Sequence, residues 1–170
     1  MSREDAAAAP GAGEATATAS PDTSQPFERS SQVAALLAAF RSTALPHASW
    51  NHRAHLAVAL VLARELDRPA VLETMRAGIQ RYNAAHGVIS TPTGGYHETL
   101  TRFYMHLVDC YINEVPAADL AEDANRLYLQ WGRRDLALEY YTRERLFSEA
   151  ARADWVEPNL RSLPVPRRPS

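Results

Sequence analysis

Apolar positions in this chain recur every three to four residues and almost nowhere alternate, which is the signature of helices packed on one face. In QVAALLAAF (32–40), Val33, Leu36, Leu37 and Phe40 share a stripe that must end before Pro46. A second helix is expected from Ser49 as N-cap to about Leu66, and a third begins at Asp67, with Arg68 and Pro69 in its first turn. Leu72, Met75, Ile79 and Tyr82 form the third stripe, which stops at Gly87. VISTPTGG (88–95) reads as a loop. The fourth helix runs from about Tyr96 to Asn113, on Leu100, Phe103, Tyr104, Leu107 and Tyr111. Pro116 opens a fifth, ended by Gly132; Asp135 caps a sixth over LALEYY, and Ser148 caps one further turn. The expected fold is an all-α, single-domain bundle of about six helices.

The ends behave differently. Residues 1–26 are rich in Ala, Thr, Ser, Pro and Gly and hold no Leu, Val, Ile or Phe until Phe27, so they are expected to form a disordered tail. They also lack the basic start and apolar run of a secretory signal. The helical domain is expected over 27–164 and a flexible tail over 165–170, where Pro164, Pro166 and Pro169 forbid a helix. No stretch is apolar enough for a membrane span, and the expected location is the cytoplasm.

Composition narrows the chemistry. The formal net charge is −2 and no basic stripe is present, which argues against a nucleic-acid partner. All 18 basic residues are arginine, so Schiff-base lysines and phosphate-loop lysines are excluded. Cys110 is the single cysteine, which rules out an intrachain disulfide and any cysteine-rich metal site; in HLVDCYI it reads as a buried structural thiol.

The candidate chemistry lies in SWNHRAHL (49–56) and GGYHETLT (94–101). His52 and His55 fall on one helical stripe with Leu56, Ala59 and Leu62, about one turn apart. His97 leads the stripe of Leu100, Thr101, Tyr104 and Val108 in the fourth helix. The three converge at one end of the bundle if the two helix starts lie together. An i, i+3 pair of neutral imidazoles plus a third from a facing helix is a metal-ligand arrangement. His106 falls with Arg102, Asp109 and Asn113 on a polar face and is expected to be solvated; His86 and His47 are weaker candidates.

A plainer reading competes with this one. His-x-x-His is a weak motif, and half-buried histidines are ordinary in helical cores. Glu98 in a first helical turn is favoured by the helix dipole, with Arg102 four residues on as an ion-pair partner. Trp50 and Tyr96 read as core aromatics, and Arg143 and Arg145 as surface or helix-end charges.

Taken together, W-x-H-x-x-H-L (50–56), G-Y-H-E-T-x-T (95–101) and Y-Y-x-x-x-R-L-F-S-x-E-A-R-x-x-W-x-E-P-x-L (140–160) resemble a family of small, helical, cytoplasmic bacterial proteins. The likeness runs from about Leu45 to Pro164, with Asn51 in place of threonine, Glu149 in place of proline and Ala150 in place of the glutamate that follows. It implies that the two histidine stretches belong together, and carries with it no reaction, substrate or metal.

Three imidazoles without a thiolate suit one ion of copper, zinc, iron or nickel, with a fourth position open to water or substrate. Glu98 would then act as a fourth ligand, a partner of a ligand, or a base. The leading expectation is therefore a small metalloenzyme acting on a small-molecule substrate by hydrolysis or oxygen chemistry, with His52, His55 and His97 as ligands and Glu98 as the catalytic group. The alternative is a metal-free helical module that binds a ligand or partner and uses the histidines as core residues. Assembly into a homo-oligomer stays open in both.

Overall fold

The computed structural model describes residues 22–166. Five long helices carry the fold: α1 (Ser30–Arg41), α2 (His52–Glu65), α3 (Arg68–Ala85), α4 (Glu98–Glu114) and α5 (Leu120–Trp131). Two short ones follow, α6 (Arg143–Leu146) and α7 (Glu149–Ala153), and 3-10 turns cover His47–Ser49 and Leu136–Glu139. No strand occurs among the described residues, so the fold is an all-α single domain. Nor is any described helix long and apolar enough to cross a membrane.

α2 is the central element. Ala54, Leu56 and the whole run Ala57–Leu62 are buried, and the helix touches α1, α3, α4 and α5. A helix apolar all round must sit inside a core rather than on its surface. His55 interrupts this apolar surface. One clamp fixes the neighbours of α2: Arg64 donates to Asp123 Oδ2 at 2.9 Å and to the Val115 carbonyl at 3.2 Å, while the Tyr111 hydroxyl donates to Asp123 Oδ1 at 2.6 Å. A second, smaller core forms around Phe103, Leu107, Tyr140, Tyr141 and Leu146, where the C-terminal third of the chain packs on α4.

Helix starts follow side-chain oxygens more closely than the apolar pattern alone suggests. α2 is capped by Asn51, whose Oδ1 accepts from the Ala54 amide at 3.1 Å, two residues after the expected Ser49. Asp67 caps α3 as expected, and Ser148 caps α7. Asp119 caps α5, so the helix opens after Pro116 rather than at it. Asp135 makes no capping bond and LALE winds into a 3-10 turn; Thr142 instead caps α6.

The expected N-terminal tail makes contacts. Thr23, within the expected 1–26 tail, is buried: its hydroxyl donates to the Ser49 carbonyl at 2.7 Å and accepts from Asn51 at 2.9 Å. A single threonine that satisfies two polar groups is invisible to a composition argument. Residues 1–21 lie outside the described residues, as do 167–170 of the expected C-terminal tail.

Residues 154–164 return across α4. Thr99 Oγ1 donates to the Asp154 carbonyl and accepts from the Val156 amide, and the Asn159 and Leu160 amides both donate to the Tyr140 carbonyl. This return covers His106, which is half-buried with Nε2 2.6 Å from the Pro164 carbonyl, not solvated as its polar neighbours suggested. Cys110 lies beside it, buried, with burial pushing its thiol up to about 11.

Candidate functional site

α2 and α4 bring their first turns to one cavity and pack directly on each other, and α3 packs against both. His52 is the first residue of α2, His55 follows one turn later, and His97 is the N-cap of α4. All three line one cavity of about 400 Å³, walled by Leu56 and Ala59 of α2, Met75 and Ile79 of α3, and Leu100 and Tyr104 of α4. Among the described residues, no arginine, aspartate or glutamate contributes to its lining. Gly95 closes the loop at its edge with φ of 79°, and a Cβ there would stand 2.7 Å from Ser90 Cα. Glycine is required at that turn.

The three imidazoles differ sharply in what they touch. His55 stacks on the Trp50 indole at 3.8 Å between centroids, and the other partner of that indole is Phe40, at 4.4 Å. Burial, followed by the charge of the adjacent His52, pushes the His55 imidazole down to about 3. His52 meets the edge of Tyr104 at 4.6 Å, and burial, followed by the charge of Arg134, pushes it down to about 4. Both rings are neutral at physiological pH. The Nε2 of His52 and the Nε1 of Trp50 are buried without a hydrogen-bond partner among the described residues. Such atoms cost about 1–3 kcal/mol each unless something completes them.

His97 is fully engaged. Its Nδ1 accepts from the Leu100 amide at 3.3 Å and its Nε2 lies 2.9 Å from the Leu146 carbonyl. Burial and the Arg152 charge push its pKa down, against the bond to Leu146. With both nitrogens committed to main chain, His97 has no lone pair for an ion. Among the described residues, no group of three or more His, Cys, Asp or Glu side chains is placed to hold a metal ion. The imidazole expected as third ligand of a three-histidine centre caps a helix here.

Glu98 also departs from its expected place. It is not part of the cavity lining, and its partner is Arg76 rather than Arg102. Arg76 binds it bidentately, Nε to Oε2 at 3.0 Å and Nη2 to Oε1 at 2.5 Å, and the Tyr96 hydroxyl donates to Oε2 at 2.7 Å. Burial pushes the Glu98 carboxyl up, but the bonds from Arg76 and Tyr96 outweigh it and hold the group below its ordinary value. Tyr96 itself is driven up to about 12, chiefly by burial. A carboxylate saturated in this way joins α3 to α4 and fixes Tyr96, which does line the cavity. Arg102 instead reaches Asp154 at 3.8 Å and lies over the Trp155 ring.

His86 stacks on Tyr82 and meets the Thr43 carbonyl, outside the cavity, and His47 is no part of the lining either. Sequence reasoning passed over Arg76 altogether and read Trp50 as plain core. What sets Trp50 apart is a place in the cavity lining together with an indole N–H that lacks a partner among the described residues, and that is a property of three dimensions.

No family model, curated protein or solved structure matches this chain, so the resemblance to small helical bacterial proteins stands on its motifs alone and function is argued from the site.

Proposed function

We propose that the chain is a small-molecule-binding module whose ligand is uncharged and largely apolar where it enters the cavity between α2, α3 and α4. The observation that carries this reading is the pair of orphaned polar atoms, His52 Nε2 and Trp50 Nε1, on side chains that line a largely apolar space in which Asn83 and Thr101 are further polar groups. A pocket with mostly apolar walls and a few unsatisfied polar groups is the usual form of a ligand site. A charged group entering it would lose its hydration and find no counter-ion in the lining. The neutral imidazole of His52 can donate or accept according to its tautomer, and the indole donates; both atoms are buried as the rings stand, so a ligand hydroxyl or carbonyl completes them once the rings turn toward the cavity.

A metal held by His52, His55 and His97 is not part of this proposal, because His97 is committed to Leu100 and Leu146. The test is binding of short neutral probes such as 1-hexanol and phenol, followed by the imidazole resonances of His52 and by indole fluorescence. Saturable binding that Ala59→Trp abolishes supports the reading. If no neutral probe binds, and His52→Leu only stabilises the fold, the histidines are core residues and the reading is wrong.

A further inference from the structure

Three rings stand in a column at the wall of the histidine cavity. Phe40 stacks on Trp50 at 4.4 Å between centroids, with 20° between the planes, and Trp50 stacks on His55 at 3.8 Å and 25°. Phe40, 2% exposed, ends the column in the core. At the other end His55 lines the cavity, and no second ring covers it among the described residues. The imidazole is half-buried, its nitrogens make no hydrogen bond among the described residues, and neither is sealed off as Nε2 of His52 is. Burial that pushes a histidine down to about 3 leaves it little contact with bulk water, so the surface that His55 keeps open is cavity surface.

The other polar groups of the lining are unequal. The Tyr96 hydroxyl donates to Glu98, the Tyr104 hydroxyl to the Arg133 carbonyl and the Thr101 hydroxyl to the His97 carbonyl. Only the side-chain amide of Asn83, half-buried on α3, makes none of these commitments among the described residues. It lies at the same end of the cavity as the column. Leu66 and Asp67 alone separate α2 from α3, and the two helices pack together, so the last turn of α3 comes back to the first turn of α2. Tyr82, next to Asn83 in sequence, tilts against the Trp50 indole at 5.4 Å. A side-chain amide donates and accepts at once, and its natural complement is a second amide.

Resting on the reading of the cavity given above, we propose that its ligand is an uncharged aromatic carboxamide or ring lactam. Its ring lies on the open side of His55 as the fourth member of the column, and its amide group pairs with Asn83. A neutral imidazole is an electron-rich ring, and an aromatic ring drained by a carboxamide stacks on it in an offset arrangement. A saturated ring of the same size buries as much apolar surface and has no π face to offer.

Benzamide and cyclohexanecarboxamide share the polar group and differ in the ring, and 1-hexanol probes the cavity alone. Calorimetric titration of the full chain should place benzamide above cyclohexanecarboxamide by about twofold to tenfold, the usual worth of an aromatic pair beyond its area. Benzamide, but not its saturated analogue, should move the His55 ring protons upfield, because a stacked ring shields nuclei over its face. In His55→Leu the preference for the aromatic amide should vanish, a ratio measured within one variant that loss of folding cannot imitate. Asn83→Leu should weaken benzamide about fivefold, the usual worth of a hydrogen bond, and keep the upfield shift of His55. The proposal is overturned if the saturated amide binds as tightly as benzamide, if the His55 protons stay in place, if the preference survives His55→Leu or if benzamide ignores Asn83→Leu. In each of these cases, and where 1-hexanol binds but benzamide does not, the broader reading of the cavity stands. If none of the three probes binds, both fall.

Discussion

The imidazole of His97 joins two parts of the chain that the sequence keeps far apart: its Nε2 lies 2.9 Å from the Leu146 carbonyl while its Nδ1 accepts the Leu100 amide. Because Nδ1 accepts, the ring proton sits on Nε2, which donates to Leu146. His97 is thus an N-cap for α4 and a strut for α6. Its replacement by alanine should cost about 1–2 kcal/mol, the range of a lost cap. The same loss should appear in chelator and in added zinc, copper, nickel or iron. His97→Asn, which keeps a capping acceptor, should recover part of it. Thermal unfolding of the three proteins checks this; a deficit that appears only with metal present would restore His97 as a ligand.

Glu98 should behave as a structural residue. Its side chain is only 6% exposed and carries a bidentate guanidinium, so Glu98→Ala strands the Arg76 charge against a buried face. Removing one partner of a fully buried pair costs about 3–5 kcal/mol. Arg76 is 29% exposed, which reduces the expected loss to about 2 kcal/mol. The paired replacement Arg76→Met with Glu98→Leu should cost less than the sum of the single changes. Denaturant unfolding of the cycle measures the coupling, and additive losses would mean that the pair does not act as a unit.

The half-buried imidazoles of His52 and His55 impose a pH dependence whose sign is fixed. His52 and His55 titrate at about 4 and about 3 in the folded chain and near 6.5 when unfolded. Between those values the unfolded chain binds more protons, so stability is complete above the unfolded pKa and declines as pH falls from about 6.5 toward 4. Each group contributes a slope of at most about 1.4 kcal/mol per pH unit. Glu98, with its pKa lowered, adds loss only at the lower, carboxylate end of the range. Denaturation midpoints followed from pH 8 to pH 4 should be flat at first and then fall. The decline between 6.5 and 5 should shrink in His55→Phe; an unchanged slope would show that His55 is protonated in the folded state.

Why the helices were legible and the site only partly so follows from the range of the forces involved. Stripes such as Val33–Leu36–Leu37–Phe40 and caps such as Asp67 and Ser148 are local and leave a local pattern. The gathering of His52, His55 and His97 at one cavity follows from two helix starts with inward stripes, and that too could be read. What each histidine touches could not. The Leu146 carbonyl that occupies His97 lies 49 residues away, and Arg76, which takes Glu98 from its i+4 neighbour Arg102, lies 22 residues before it. A carbonyl carries no sequence signal, and an arginine on a helix surface looks the same whether or not a carboxylate waits opposite. His106 failed for the same reason, since its polar neighbours gave no sign that Pro164 would return across them.

Gly78 tests whether the stack behind the cavity is rigid. It lies buried in α3, where alanine is favoured over glycine by about 1 kcal/mol in an open helix. Here a Cβ would stand 2.7 Å from Cζ of Phe40. The Phe40 ring is 2% exposed, with the Trp50 indole stacked on it and the Tyr82 ring tilted 6.1 Å away. Any shift of Phe40 therefore passes to Trp50 and through it to His55 at 3.8 Å. Overpacking of a filled core costs about 1–3 kcal/mol, which outweighs the gain in helix propensity. Gly78→Ala should lower stability by about 1–2 kcal/mol net. It should also alter indole fluorescence and move the ring resonances of His55. Phe40→Leu, which shortens the ring that the new methyl meets, should relieve much of the Gly78→Ala loss in the double variant. A Gly78→Ala protein more stable than the parent, with the His55 resonances unmoved, would show that Phe40 has room to yield and that the stack does not fix the wall of the cavity.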